Sequence, residues 1–456
     1  MSEPIALPAL SEEAAIERET MRKVSLRLIP FLFVLYLFNF LDRTNVALAG
    51  LQMNRDLHFS STAFGLGAGI FFLGYSVFEI PSNIVLVRIG ARRWIARIMI
   101  SWGIIAAAMM FVRTPIHFYA LRLLLGIAEA GFFPGIVYYL TEWFPATHRG
   151  RASSRFMIAV PLSGVLGGVV GGFLLGLDGK LGLAGWQWLF LVEGLPSALL
   201  GFVVLSYLTD KPGDAHWLTE PQRNWLENRM RQDKEISSAR RGMSALQVLK
   251  QPILWMVTFP YFLMVTAGYG YTFWSPSVFR DTLHITNTQT GFLTAFFAVC
   301  SMVVMLIVGA SSDRKNERFY HAAVNVSLIA IGYGGAALIT QPILRVAFLG
   351  IVLLGANGML PAFWSIPSMF LSGSAAAVGI AMISALGSTG GFIGPYLIGF
   401  LKDRTGSNTG AFLAMAGVGA LSAISFVLLK RRAALDQQNS GAVTQTSIGG
   451  IVGPPA

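Results

Sequence analysis

Between Arg122 and Gly135 the chain reads Arg-Leu-Leu-Leu-Gly-Ile-Ala-Glu-Ala-Gly-Phe-Phe-Pro-Gly, so Arg122 and Glu129 stand seven residues apart in a stretch otherwise apolar enough to cross a bilayer. Each such charge costs roughly 2.5 to 3.5 kcal/mol at the centre of a membrane helix, so each calls for a partner or a function. A second pair, Asp42 and Arg43, interrupts an earlier apolar stretch. The chemistry open to these groups is narrow. An arginine in low dielectric is a bidentate site for a carboxylate, and a carboxyl set between desolvation and a neighbouring arginine can exchange a proton when its surroundings change. The bland alternative for all four is a structural network between helices.

At about 1.5 Å of rise per residue, Arg43 lies roughly 7 Å and Arg122 roughly 10 Å to the outer side of their segment midpoints, with Glu129 near the middle. The two arginines can therefore converge on one patch. Arg122 and Glu129 share a helix face but are about 10 Å apart along the axis, so they do not neutralise each other. The partner of Glu129 is expected on another helix, and Arg43 is the cation at suitable depth. Asp42 is the other expected proton-coupling group, although adjacent residues on a helix point in different directions. Tyr75, one turn before Glu79, is placed to face the same cavity, whereas Glu79 and Glu193 read more simply as structural.

Composition sets the class. Hydrophobic residues make up 54% of the 456 and charged residues 12%, against about 25% charged in soluble proteins; this is an all-α integral membrane protein. The net charge of +11 raises nucleic-acid binding, but the basic residues sit at the ends of apolar segments and form no stripe interleaved with aromatics. One cysteine, Cys300, rules out an intramolecular disulfide and a paired-cysteine metal site. No metal or other cofactor is expected. No nucleophile with a base and no phosphate-cradling loop supports an enzyme.

Residues 1–24 read as a polar tail without a cleaved signal, and apolar windows of spanning length follow near 26–50, 62–87, 94–112, 117–142, 152–177 and 186–208. After a polar stretch, six more recur near 253–279, 288–310, 320–340, 343–371, 376–400 and 410–430. The expected domains are a tail (1–24), a six-helix bundle (25–208), a linker (209–250), a second bundle (251–432) and a disordered tail (433–456). With both termini and the even-numbered connections assigned to one side, that side holds 25 Lys and Arg against 7 opposite. The positive-inside rule makes it cytoplasmic, which fits a plasma (inner) membrane protein with both tails inside. In the linker, Thr219-Glu-Pro-Gln222 opens a helix with a capping signal, and Trp217, Leu218, Trp225, Leu226 and Met230 give it an apolar stripe expected to lie on the cytoplasmic face between the halves.

The halves look like repeats. Arg88 and Arg314 stand at equivalent points after the second and eighth windows, and Gly131-Phe-Phe-Pro134 reappears as Gly358-Met-Leu-Pro361 at nearly the same offset. The second half lacks deep acids, and the counterpart of Glu129 is Ala356. It offers Tyr269, Trp274, Asn357, Trp364 and Ser388, side chains suited to hydroxyls, rings and carbon skeleton. Prolines 134, 161, 361, 367 and 395 are expected to mark kinks.

Six-plus-six organisation with Gly309-x-x-x-Asp313-Arg314, and its remnant before Arg88 and Arg92, resembles the major facilitator superfamily. Asn39-Phe-Leu-Asp42-Arg43-Thr-Asn45, Phe78-Glu79-Ile-Pro81-Ser-Asn83 and the Arg122–Gly135 string are similar to its anion:cation symporter branch, over about residues 25–430. The resemblance implies alternating access, a proton-coupled import of an organic carboxylate such as a sugar acid, a tartrate-like acid or an aromatic acid, and a monomer working in the bilayer. Asp42 and Glu129 would then carry protons, and Arg43, Arg122, Tyr75, Tyr269, Trp274, Asn357, Trp364 and Ser388 would bind substrate. Arg88, Arg92, Asp313 and Arg314 would form a cytoplasmic gate. Two departures matter: Val87 replaces the loop aspartate of the general motif, and Gly168 stands where exporters carry a proline. The competing readings are an anion exchanger or exporter, and a membrane sensor on a transporter scaffold.

Overall fold

A computed structural model describes residues 7–239, 245–370 and 373–449. Among the described residues, twelve helices long and apolar enough to span a membrane follow in sequence. The first six are Glu12–Asp56, Ser61–Ile89, Ala91–Phe111, Pro115–Trp143, Ala146–Leu175 and Gly185–Tyr207. The second six are Pro252–Leu283, Asn287–Lys315, Phe319–Leu338, Pro342–Phe363, Val378–Thr405 and Thr409–Arg432. Twelve crossings return the chain to its starting side, the terminal face; the opposite side is the far face.

Small residues let the spans meet backbone to backbone, as expected where lipid supplies no hydrophobic drive. In the first half, a Cβ at Gly126 of the fourth span would overlap the Phe71 carbonyl of the second, and one at Gly103 of the third would overlap Ala198 of the sixth. In the second half, Gly394 of the eleventh span meets the Thr266 carbonyl of the seventh. The halves meet along far-face segments. Gly65 and Gly69 press on the Pro395 and Phe392 carbonyls, and Gly168 presses on the Gly291 carbonyl, where a Cβ would come within 2.6 Å. Any side chain at position 168 would press on this crossing.

Three segments flank or join the two sets of spans. The N-terminal tail is helical from Leu7, with Glu19 and Lys23 bridged one turn apart at 3.2 Å and Glu17 Oε1 2.8 Å from His148 Nε2. Helix formers such as Glu12, Glu13, Ala14 and Ala15 carry the helix outward. At the other end the last helix runs on to Gly449; residues 450–456 lie outside the described residues. The linker helix Glu220–Ala239 docks on the first half, against the first span and the near segment of the fourth. Gln222 Oε1 accepts the Thr219 amide at 3.2 Å and the Lys23 ammonium at 3.1 Å, and Trp217 stacks on Trp143 at 5.4 Å. Its stripe packs against the first bundle.

Candidate functional site

The fourth span is two helices, Pro115–Glu129 and Phe132–Trp143, and Glu129 is the last residue of the first. Ala130 is extended (φ −55°, ψ 132°) and Gly131 is left-handed (φ +85°). A glycine adopts that conformation at no steric cost. It also leaves room for Ser82, whose hydroxyl a Cβ at position 131 would overlap. Pro134 is not the kink: it falls in the first turn of the second helix, where its missing N–H has no partner to lose. Gly131→Ala is expected to cost on the order of 1–3 kcal/mol, read as a lowered Tm of the detergent-purified protein; an unchanged Tm would show that the break is not strained for other residues.

Glu129 is fully buried and bonds Arg43 from the first span. The guanidinium donates through Nε at 2.9 Å and through Nη2, both to Glu129 Oε1. Three rings surround the cation, with centroids 5.1 Å (Phe40), 5.4 Å (Phe71) and 4.8 Å (Tyr75) from its central carbon. Such faces favour a cation that has left water. Glu129 Oε2, both polar atoms of Asn39 and Glu79 Oε2 are buried without a protein hydrogen-bond partner among the described residues. Asn39 lies one turn before Arg43, so the first span contributes an amide and a guanidinium to one face.

Arg122 and Arg43 do converge on the Phe71 ring, Arg122 at 4.8 Å. Arg122, however, is 1% exposed and donates Nε to the Gly67 carbonyl (3.3 Å) and Nη2 to the Ala68 carbonyl (3.0 Å). Two of its donor groups therefore tie the second span to the fourth. Asp42 points away from this cluster. Its Oδ2 accepts from Trp102 Nε1 of the third span at 2.7 Å and from Ser197 Oγ of the sixth at 2.6 Å. Glu193, one turn before Ser197, is buried there with neither oxygen bonded to protein among the described residues.

The second-half residues divide. Tyr269 lies 4.3 Å from Phe72 beside the Arg43 cage, and Trp364 meets Tyr261 edge-on at 5.3 Å. Asn357 instead donates to Ser301 of the eighth span at 2.9 Å, and Ser388 is half-buried at the end of a helix. Trp274 lies in the far-face seam, edge-on to Phe64 at 5.4 Å and donating to the Pro395 carbonyl at 3.0 Å. Its size and depth suggested a site; the partner across the seam could not be read from sequence.

On the terminal face, Arg92 donates its amide to Asp210 Oδ1 at 2.8 Å, with Nε 3.7 Å from Oδ2. Asp210, which sequence reasoning missed, thus caps the third span beside the loop that has Val87 in place of an acid. Asp313 binds Arg318 at 2.6 Å, while Arg88 and Arg314 are exposed.

The Major Facilitator Superfamily profile matches residues 32–379 and 278–449. A protein of Agrobacterium vitis named "Putative tartrate transporter" is 44% identical over 434 residues, 94% of this chain and 98% of the relative. A protein of Acinetobacter baumannii named "Quinolone resistance transporter" is 38% identical over 391 residues, 86% of this chain and 90% of the relative. Among solved structures, a bacterial homologue of the human lysosomal transporter Spinster superposes with a TM-score of 0.73 at 18% identity, covering 89% of this chain and 96% of that one. At that identity the likeness carries the fold alone.

Proposed function

Because this chain belongs to the Major Facilitator Superfamily, and is a secondary transporter rather than an enzyme, we propose that it imports an organic carboxylate together with protons by alternating access. The observation that carries this reading is the buried Arg43–Glu129 pair at the break of the fourth span. The pair offers one guanidinium to two claimants. With Glu129 charged, the arginine is held; with Glu129 protonated, it is free for a substrate carboxylate. Anion entry against a negative-inside potential costs about 2.3 kcal/mol per charge per 100 mV, and proton co-transport removes that cost.

On this reading Arg43, Tyr75 and Tyr269 bind substrate, with Asn39 added to the sequence-based set. Arg122 binds it once its carbonyl contacts loosen. Trp364 lines the wall through Tyr261, while Trp274, Asn357 and Ser388 serve the substrate path from its margins. Asp42 is a second proton site, held by hydrogen bonds from Trp102 and Ser197. The terminal face is cytoplasmic, the membrane is the inner (plasma) membrane, Arg88, Arg92, Asp313 and Arg314 belong to the gate on that face, and the monomer is the working unit. The bundles are 25–208 and 251–432, with 209–250 as linker. The name of the 44% identical relative favours a tartrate-like acid; the motif resemblance favours the anion:cation symporter branch.

Purified protein in proteoliposomes with an imposed inward proton gradient is expected to accumulate at least one compound among tartrate, sugar acids and aromatic acids. If none accumulates and none exchanges, the reading fails. The 38% identical relative named for quinolone resistance supports a second reading, an exporter. Quinolone movement opposite to the proton gradient, with no carboxylate uptake, would establish that one instead.

A further inference from the structure

The eleventh span ends Gly399-Phe-Leu-Lys-Asp403-Arg404, the same Gly-x-x-x-Asp-Arg spacing as Gly309-Ala-Ser-Ser-Asp313-Arg314, but on the far face. A carboxylate at a helix C-terminus is repelled by the partial negative charge of its own helix end, so Asp403 gains nothing from the helix that carries it. Its partner is in the other half. Asp403 Oδ1 accepts the Ser61 amide at 3.1 Å, and Oδ2 accepts the Thr62 amide at 2.7 Å and the Thr62 hydroxyl at 2.6 Å. These amides open the second span, where unpaired N–H groups and the positive helix end both favour an anion. The second span's own cap, Ser60, takes only the Ala63 amide, at 3.0 Å, so Asp403 completes the cap from across the seam.

The surrounding contacts make this position a junction. A Cβ at Gly399 would overlap the Ser61 carbonyl, so the two backbones touch directly. Nearby on the far face, Arg280 Nη1 of the seventh span donates to the Leu51 carbonyl of the first at 2.5 Å, and Thr288 Oγ1 of the eighth donates to the Gly172 carbonyl of the fifth at 3.0 Å. Lys402, beside Asp403 in sequence, interacts electrostatically with it and with Arg280 and its bridged neighbour Asp281 on the seventh span; Arg404 follows Asp403 on the same helix.

We propose that Asp403 is an inter-half latch: its carboxylate holds the amino end of the second span when the far face is closed, and releases it when the far face opens. The latch biases the transporter toward the conformation described above. It does not depend on which substrate is carried.

The test uses the full chain with Cys300→Ser, spin-labelled at Leu181→Cys and Ser407→Cys, two exposed far-face positions in opposite halves, and measures the distance distribution by pulsed electron resonance in lipid nanodiscs. Asp403→Ala is expected to raise the ratio of far-face-open to closed molecules about tenfold, the loss of a charge-assisted set of hydrogen bonds. Asp403→Asn retains one acceptor and is expected to fall between the two. Asp403→Glu is expected to recover part of the closed population. A distribution unchanged in folded, monodisperse Asp403→Ala overturns the latch. If the alanine variant does not fold, an unchanged distribution in Asp403→Asn overturns it equally.

Discussion

Glu129→Gln is expected to abolish proton-driven accumulation while leaving exchange of substrate across the membrane intact. Glutamine keeps an oxygen where Arg43 Nε donates and matches glutamate in size, so the cage of Phe40, Phe71 and Tyr75 persists. What disappears is the charge that competes with substrate for the guanidinium. The variant therefore behaves as if permanently protonated: substrate binds, crosses and trades places with substrate on the other side, but no proton moves with it. Removing one member of a buried pair also leaves an uncompensated cation, at a cost of about 3–5 kcal/mol, so the purified variant should be most stable with a carboxylate bound. The decisive comparison is gradient-driven uptake against counterflow in one proteoliposome preparation. Retained accumulation against a concentration gradient would remove Glu129 from the coupling step.

The second large effect is expected for Arg43→Lys. Lysine preserves the charge yet loses the planar fork that presents Nε and Nη2 together, and an ammonium does not stack on rings as a guanidinium does. With about 1.5–3 kcal/mol at stake for a charge-assisted hydrogen bond, KM for substrate should rise about 10- to 100-fold. Concentration-dependent exchange measures it directly. A KM unchanged in Arg43→Lys would mean that Arg43 only balances Glu129, and that substrate is held elsewhere.

The charges were legible in the sequence because depth in a membrane is nearly a linear function of residue number: a fixed rise per residue puts Arg43 and Glu129 at meeting heights before any fold is known. The twelve spans and the weak repeat are legible for the same reason. Direction around the helix axis is not. Asp42 and Arg43 are neighbours in sequence, but one looks to the third and sixth spans and the other to the fourth. The use of Arg122 by two carbonyls of the second span follows from how closely Gly126 lets that span approach, a property of the pair of helices. Caps supplied from a distance, Asp210 to the third span and Asp403 to the second, leave no local mark, because one acid is an ordinary loop residue and the other an ordinary helix-end residue until the partner arrives. The repeated glycine shows the limit of motif reading. Gly131 precedes a helix in the left-handed region at φ +85°, whereas Gly358 is the last residue of a helix, has no positive φ and packs against Asn325 of the ninth span.

The break at Ala130–Gly131 gives the fourth span the mechanics of a jointed rod. Its far segment, 15 residues or about 22 Å long, is fastened to the second span through Arg122; its near segment, 12 residues or about 18 Å, is fastened beyond the sixth span through Tyr139 and Trp143 to the Thr209 carbonyl. Bending stiffness is lowest at the joint, and Glu129 is the residue that sits on it. On the proposed mechanism, a proton gained or lost there would act at the point where a small force turns into the largest change of angle between two separately anchored arms.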